Sequence, residues 1–98
     1  MEIIKTLNGG ELTIALKGEL NSTNSNELEK VVSESLKNVK SLIFDFTNLD
    51  YISSAGLRIL LVAKKVMDKQ GKMVVLHPNE SVMDVFEITG FKDILDIE

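Results

Sequence analysis

The chain alternates between short apolar segments and longer amphipathic ones. Four short segments have the alternating or continuously apolar character of β-strands; they are Glu2 to Leu7, Glu11 to Lys17, Ser41 to Phe46 and Lys72 to Leu76. Three longer segments carry apolar residues every three or four positions, as helices with one buried face do; they follow Asn24, run from about Ser54 to Gln70, and follow Asn79 or Ser81. The order strand, strand, helix, strand, helix, strand, helix predicts an α/β fold.

Local signals predict how some of these elements begin and how they are covered. Asn8-Gly9-Gly10 supplies the positive φ angles of a tight turn, so the first two strands are predicted to form an antiparallel hairpin. Asn24 is predicted to cap the first helix, with Glu27 in a capping-box relation to it. Leu42-Ile43-Phe44 is continuously apolar, which predicts a strand that is covered on both faces.

Helical crossovers join the last three strands, so these strands are predicted to be parallel with right-handed connections. We expect a small, mixed, mostly parallel β-sheet with an N-terminal hairpin and three to four α-helices. Phe91 to Ile97 is predicted to add a short final turn or an edge strand. The loops that follow the parallel strands should meet at one rim of the sheet, where sites occur in such folds; they are Gly18 to Thr23, Thr47 to Ser54 and His77 to Asn79.

The composition and charge of the chain argue against several classes of function. The chain has 98 residues, of which 44% are hydrophobic, which predicts one globular domain over residues 1–98. A net charge of -4 without a basic arm argues against nucleic-acid binding. The absence of cysteine and the single histidine, His77, exclude thiolate sites and clusters of imidazole ligands, so neither a metal nor a cofactor is expected. The N-terminus lacks the order of a signal peptide, and we expect a cytoplasmic protein.

The most informative segment is Asn48 to Leu57, in which a strand feeds a loop, two serines and a small first helical turn. Free N–H groups and the helix dipole at such a helix start favour an anion, such as a phosphate on Ser54. The alternative is that Ser53 or Ser54 is simply the N-cap. Catalysis by Ser54 is not expected, because a Gly-x-Ser-x-Gly pattern is missing and His77 is the sole histidine base.

The run Tyr-Ile-Ser-Ser-Ala-Gly-Leu-Arg, residues 51–58, resembles the signature loop of the STAS family. Gly18-Glu19-Leu20-Asn21 resembles the Gly-Glu-Leu-Asp that ends the second strand in that family. The length and the element order also fit, so the resemblance covers nearly the whole chain and implies a single STAS-like domain.

The resemblance implies the role of a bacterial anti-sigma-factor antagonist. Such an antagonist, when unphosphorylated, binds an anti-sigma factor that is also an ATP-dependent serine kinase, and thereby releases a sigma factor. The kinase phosphorylates the serine at this helix start, and a metal-dependent phosphatase reverses the mark. On this chain the acceptor would be Ser54, with Ser53 as the alternative. The expected partner-binding rim consists of Asn21, Ser22, Ser53, Ser54 and Gly56.

Two departures from the family pattern lie beside the acceptor. Ser53 stands where many members have aspartate, and Asn21 stands where many have the aspartate of Gly-Glu-Leu-Asp. Both departures remove a negative charge and would ease the placement of a phosphate. Two other roles remain open within the resemblance: an accessory subunit of a membrane ABC transporter, and a ligand- or nucleotide-binding signalling module.

Overall fold

A five-stranded sheet forms the backbone of the fold in a computed structural model that describes residues 1–98. The strands follow one another across the sheet in the order β1-β2-β3-β4-β5. They are β1 (Glu2–Asn8), β2 (Glu11–Leu20), β3 (Ser41–Ile52), β4 (Lys72–Leu76) and β5 (Asp96–Ile97). The helices are α1 (Ser25–Ser35), α2 (Ser54–Asp68) and α3 (Glu80–Thr89), and a 3-10 turn follows at Phe91–Asp93.

The pairing of the strands confirms the predicted topology. β1 and β2 are antiparallel, and each later pair of neighbours is parallel. The C-terminal segment is predicted to form a short turn or an edge strand, and it forms both: the 3-10 turn and then the two-residue edge strand β5. The α/β class, the N-terminal hairpin and the number of helices are therefore as the sequence predicts.

Only one face of the sheet is fully buried. Alternate positions of the central strands, such as Leu42 and Phe44 in β3 and Val75 in β4, are buried in the core. The positions between them, including Ile43 and Val74, are only half-buried. The prediction that Leu42-Ile43-Phe44 lies in a strand covered on both faces is therefore wrong. Sequential parallel strands with crossovers of one hand place their helices on the same side, which leaves the other face open.

Strands β2 and β3 are longer than predicted, because β2 continues to Leu20 and β3 to Ile52. The register between them shifts twice, and each shift inserts one extra residue into β3. Beyond Phe46, the buried residues of β3 are consequently three positions apart, at Leu49 and Ile52. This spacing destroys the two-residue alternation of a strand, which is why the sequence pattern predicts a loop from Thr47 onward.

Two of the three helices are capped by a side chain at their N-terminus. Ser53 Oγ accepts a hydrogen bond from Gly56 N at 3.4 Å, and Asn79 Oδ1 accepts one from Val82 N at 2.8 Å. Asn24 occupies the cap position of α1 but makes no capping bond, so the predicted capping box with Glu27 is wrong. The reason is local competition, since the Asn24 side chain bonds to the chain before the helix.

Candidate functional site at the ends of β2 and β3

The parallel pairing of β2 and β3 brings two of the predicted loops together. Leu20 and Ile52 are register partners, and Ser53 N donates a hydrogen bond to the Leu20 carbonyl at 2.8 Å. Asn21 and Ser53 therefore follow adjacent strand ends at one edge of the sheet. We call the surface formed by residues 21–22 and 53–54 the acceptor rim. The third predicted loop reaches the neighbouring end of β3 through the side chain of Asn79.

The two adjacent serines have different environments. Ser53 is half-buried, and its hydroxyl oxygen accepts the capping bond from the backbone of α2. Ser54 is the first residue of α2 and is exposed. The first turn of α2 contains no acidic side chain, so the positive end of its dipole is not neutralised by its own residues. A negative group on Ser54 would lie at this positive end.

The Asn21 side chain organises the loop between β2 and α1. Its Oδ1 accepts hydrogen bonds from Thr23 N at 2.9 Å and from Asn24 N at 3.1 Å. In return, Asn24 Oδ1 accepts a bond from Asn21 N at 2.9 Å. Asn21 uses only its oxygen in these bonds, and an aspartate carries the same acceptor. Compared with aspartate, asparagine at this position thus keeps the turn and leaves the acceptor rim with one negative charge fewer. Ser22, the next residue of the rim, is exposed.

Gly56 is buried, unlike the exposed Ser22 and Ser54. A Cβ atom at this position would lie 2.7 Å from Leu20 Cδ2 and 2.9 Å from Ile52 Cγ1. The small residue lets the first turn of α2 approach the ends of β2 and β3 closely. Gly56 therefore lies beneath the surface of the rim, and its part in partner binding stays a prediction.

The Gly56→Ala variant is expected to lower the free energy of unfolding by about 1–2 kcal/mol. Overpacking typically costs about 1–3 kcal/mol, and alanine recovers up to about 1 kcal/mol through its higher helix propensity. Urea unfolding measures the change. Shortening the neighbour with Leu20→Val should make room, so the double variant should lose less than the sum of the two single losses. Strict additivity would contradict the proposed clash.

The first irregularity of β3 is held by Asp45. Its Oδ1 accepts hydrogen bonds from Thr47 Oγ1 at 2.6 Å and from Thr47 N at 3.0 Å. These bonds lower the pKa of the Asp45 carboxyl group, the positive charge of His77 lowers it further, and partial burial opposes them. His77 follows β4 with a positive φ of 56°. The ionised form of Asp45 is thus the one that stabilises the folded chain.

The Asp45→Asn variant is expected to lose about 0.5–1 kcal/mol of stability at neutral pH, because the hydrogen bonds lose their charge assistance. A lowered folded-state pKa gives a contribution that is present above the unfolded-state pKa and is lost as pH falls through the folded-state value. The difference between wild type and variant should therefore shrink below about pH 4. Urea titrations at several pH values measure it, and a difference that grows in acid would contradict this assignment.

The grooves of the surface lie away from the acceptor rim. The largest groove, of about 320 Å³, lies between α1 and α2 and includes no residue of the acceptor rim. No group of three or more histidine, aspartate or glutamate side chains is arranged to hold a metal ion. None of the helices has the length and apolar character needed to cross a membrane.

Known proteins resemble this chain in sequence or in fold. BtrV of Bordetella bronchiseptica, named as an anti-sigma factor antagonist, is 41% identical over 90 residues, which cover 90% of this chain and 78% of BtrV. The structure of the anti-sigma factor antagonist SpoIIAA in its unphosphorylated form superposes with a TM-score of 0.84 at 20% identity, covering 99% of this chain and 88% of SpoIIAA. Bacillus SpoIIAA in its phosphorylated form gives a TM-score of 0.78 at 19% identity, covering 99% of this chain and 91% of that SpoIIAA chain.

The match to a protein family extends over almost the whole sequence. A model described as the STAS domain matches residues 2–98. This range includes every strand and helix as well as the acceptor rim. The chain therefore belongs to the STAS domain family.

Proposed function

We propose that this chain is an anti-sigma factor antagonist, a non-catalytic protein switch that is controlled by phosphorylation of Ser54. The observation that carries the proposal is the exposure of Ser54 at a helix start without acidic residues, beside the end of β2. The relatives' names support the regulatory class, since BtrV is named as an antagonist of this kind.

The proposed cycle has two states. Unphosphorylated, the chain binds an anti-sigma factor through the acceptor rim and thereby releases a sigma factor in the cytoplasm. The anti-sigma factor, acting as an ATP-dependent serine kinase, phosphorylates Ser54 and frees itself, and a metal-dependent phosphatase restores the first state. Each step requires the rim to be reachable by large partners, and the exposed Ser22 and Ser54 meet this requirement.

The local geometry favours Ser54 over Ser53 as the acceptor. Ser53 Oγ is used as the helix cap, and modification of it would remove the acceptor of the Gly56 N–H. Such caps contribute about 0.5–2 kcal/mol, so a kinase would have to break a stabilising contact to reach Ser53. Ser54 can be modified without that loss, and its phosphate would lie near the free N–H groups of the first turn.

Mass spectrometry after incubation with the anti-sigma factor of the source cell and Mg-ATP tests the proposal. The partner is recovered by pull-down with the unphosphorylated chain. We expect one phosphate on Ser54, none on Ser54→Ala, and a phosphate that is still on Ser54 in Ser53→Ala, which is the matched change at the neighbouring hydroxyl. Modification confined to Ser53, or recovery of a transporter ATPase in place of an anti-sigma factor, would refute the proposal.

A further inference from the structure

The end of β3 projects beyond its neighbour on one side. β4 pairs with β3 only from Ser41 to Asp45, whereas β2 follows β3 as far as Ile52. The stretch of β3 from residue 46 to residue 52 therefore has a strand partner on one edge and none on the other. Backbone carbonyls on an edge without a partner strand need hydrogen-bond donors from elsewhere.

Asn79 supplies donors to this edge. Its Nδ2 donates hydrogen bonds to the carbonyl oxygens of Leu49 at 3.1 Å and of Asp50 at 3.3 Å. Its Oδ1 simultaneously accepts the bond from Val82 N that caps α3. One amide side chain therefore ties the end of β3 to the start of α3.

The tie falls where β3 is irregular. Gly18 pairs with Leu49 and Glu19 pairs with Tyr51, so Asp50 is the extra residue of the second register shift. Four residues later comes Ser54. On the opposite edge, Ser53 N bonds to the Leu20 carbonyl. The acceptor segment, residues 50–54, is thus held by Asn79 on one side and by β2 on the other.

We propose that Asn79 is a positioning residue for the acceptor segment, which its amide holds in the orientation that the kinase and the anti-sigma factor recognise. This inference rests on the proposed function, because it assigns the recognised surface to the acceptor segment. Tyr51, which is 44% exposed, is the large side chain of this segment and directly follows the tied carbonyl of Asp50. The third loop of the sheet edge thereby contributes to recognition.

A cap alone does not require asparagine. Serine and aspartate cap helices about as well as asparagine. Neither offers the two N–H donors of an amide, and aspartate would place a negative charge against two carbonyl oxygens. Asn79→Ser and Asn79→Asp therefore keep the cap of α3 and remove the tie to β3, which separates the two roles of this residue.

The test compares Asn79→Ser and Asn79→Asp with wild type in two measurements. The first is amide hydrogen exchange of the free protein, in which residues 51–53 should exchange about tenfold faster while α3 stays protected. The second is steady-state phosphorylation by the recovered anti-sigma factor. We expect KM to rise about five- to tenfold with kcat nearly unchanged, because the loosened segment must be ordered on binding.

Ile14→Val is the control, since it trims a fully buried β2 residue and lowers stability without touching the tie. It should leave KM and the exchange of residues 51–53 at their wild-type values. Asn79 variants that match this control in either measurement would overturn the inference. Wild-type protein that is not phosphorylated at all would instead refute the proposed function, and the exchange measurement would then still decide whether Asn79 holds the segment.

Discussion

Phosphorylation of Ser54 is expected to weaken binding to the anti-sigma factor by about two to three orders of magnitude. The phosphate adds a charge of about -1.5 to -2 at neutral pH, and the chain already carries a net charge of -4. Two like unit charges about 4 Å apart at an interface repel by about 4 kcal/mol at an effective dielectric constant near 20. Isothermal calorimetry with both forms of the protein measures the difference.

The fold itself should tolerate the phosphate, since the positive end of α2 stabilises a negative group by about 0.3–2 kcal/mol. Ser54→Asp should also weaken binding to the anti-sigma factor, but by less than the phosphate does. Ser54→Ala should bind the anti-sigma factor and should not be released from it, because it cannot be phosphorylated at this position. Amide NMR shifts between the two forms should be confined to the acceptor rim and the first turn of α2. Shifts spread through the sheet and all helices would indicate a conformational mechanism and contradict this one.

The Gly71→Ala variant is expected to lower the free energy of unfolding by about 3 kcal/mol. A Cβ atom at Gly71 would overlap the Lys40 carbonyl oxygen and lie 2.6 Å from its carbon, so backbone must move. That carbonyl accepts a hydrogen bond from Lys72 N where β3 and β4 begin. The expected loss combines overpacking of about 1–3 kcal/mol with a lost hydrogen bond of about 1 kcal/mol. Chemical unfolding followed by circular dichroism measures it.

Gly10→Ala is the matched control for this prediction. Gly10 also lies against Lys40, but a Cβ atom there would lie 3.5 Å from the Lys40 side chain and 3.9 Å from the Lys40 backbone nitrogen, which are ordinary contacts. The control should therefore stay within about 0.5 kcal/mol of wild type. Equal losses in the two variants would show that close approach to the Lys40 backbone is not what requires glycine at position 71.

The sequence predicted the elements whose side-chain pattern is regular. The alternation of Leu12, Ile14 and Leu16 sufficed for the first part of β2, and the turn residues at Gly9 and Gly10 sufficed for the hairpin. The end of β3 could not be predicted as a strand. Two residues inserted into β3 change the spacing of its buried side chains, and only the pairing with β2 reveals these insertions. An isolated strand pattern carries no information about such a neighbour.

The candidate site likewise contains residues that can be found from the sequence and residues whose roles only the fold reveals. The serines at the start of α2 could be found from sequence, because a cap and a small first turn are local signals. That Ser53 rather than Ser54 caps the helix depends on the backbone geometry of the turn. The packing of Gly56 and the second role of Asn79 depend on contacts with β2 and β3 that are distant in the chain. The sequence alone therefore does not show that Gly56 lies beneath the rim or that Asn79 also bonds to β3.

The sequential order of the strands affects how the chain can fold during synthesis. Each strand after β1 pairs with the strand made just before it, so no segment has to wait for a partner from the far end of the chain. A nascent chain leaving the ribosome can therefore add one strand and one helix at a time to a single growing edge. The two-residue strand β5 is the last to be added, and it pairs with Val74 and Val75 on the open edge of β4.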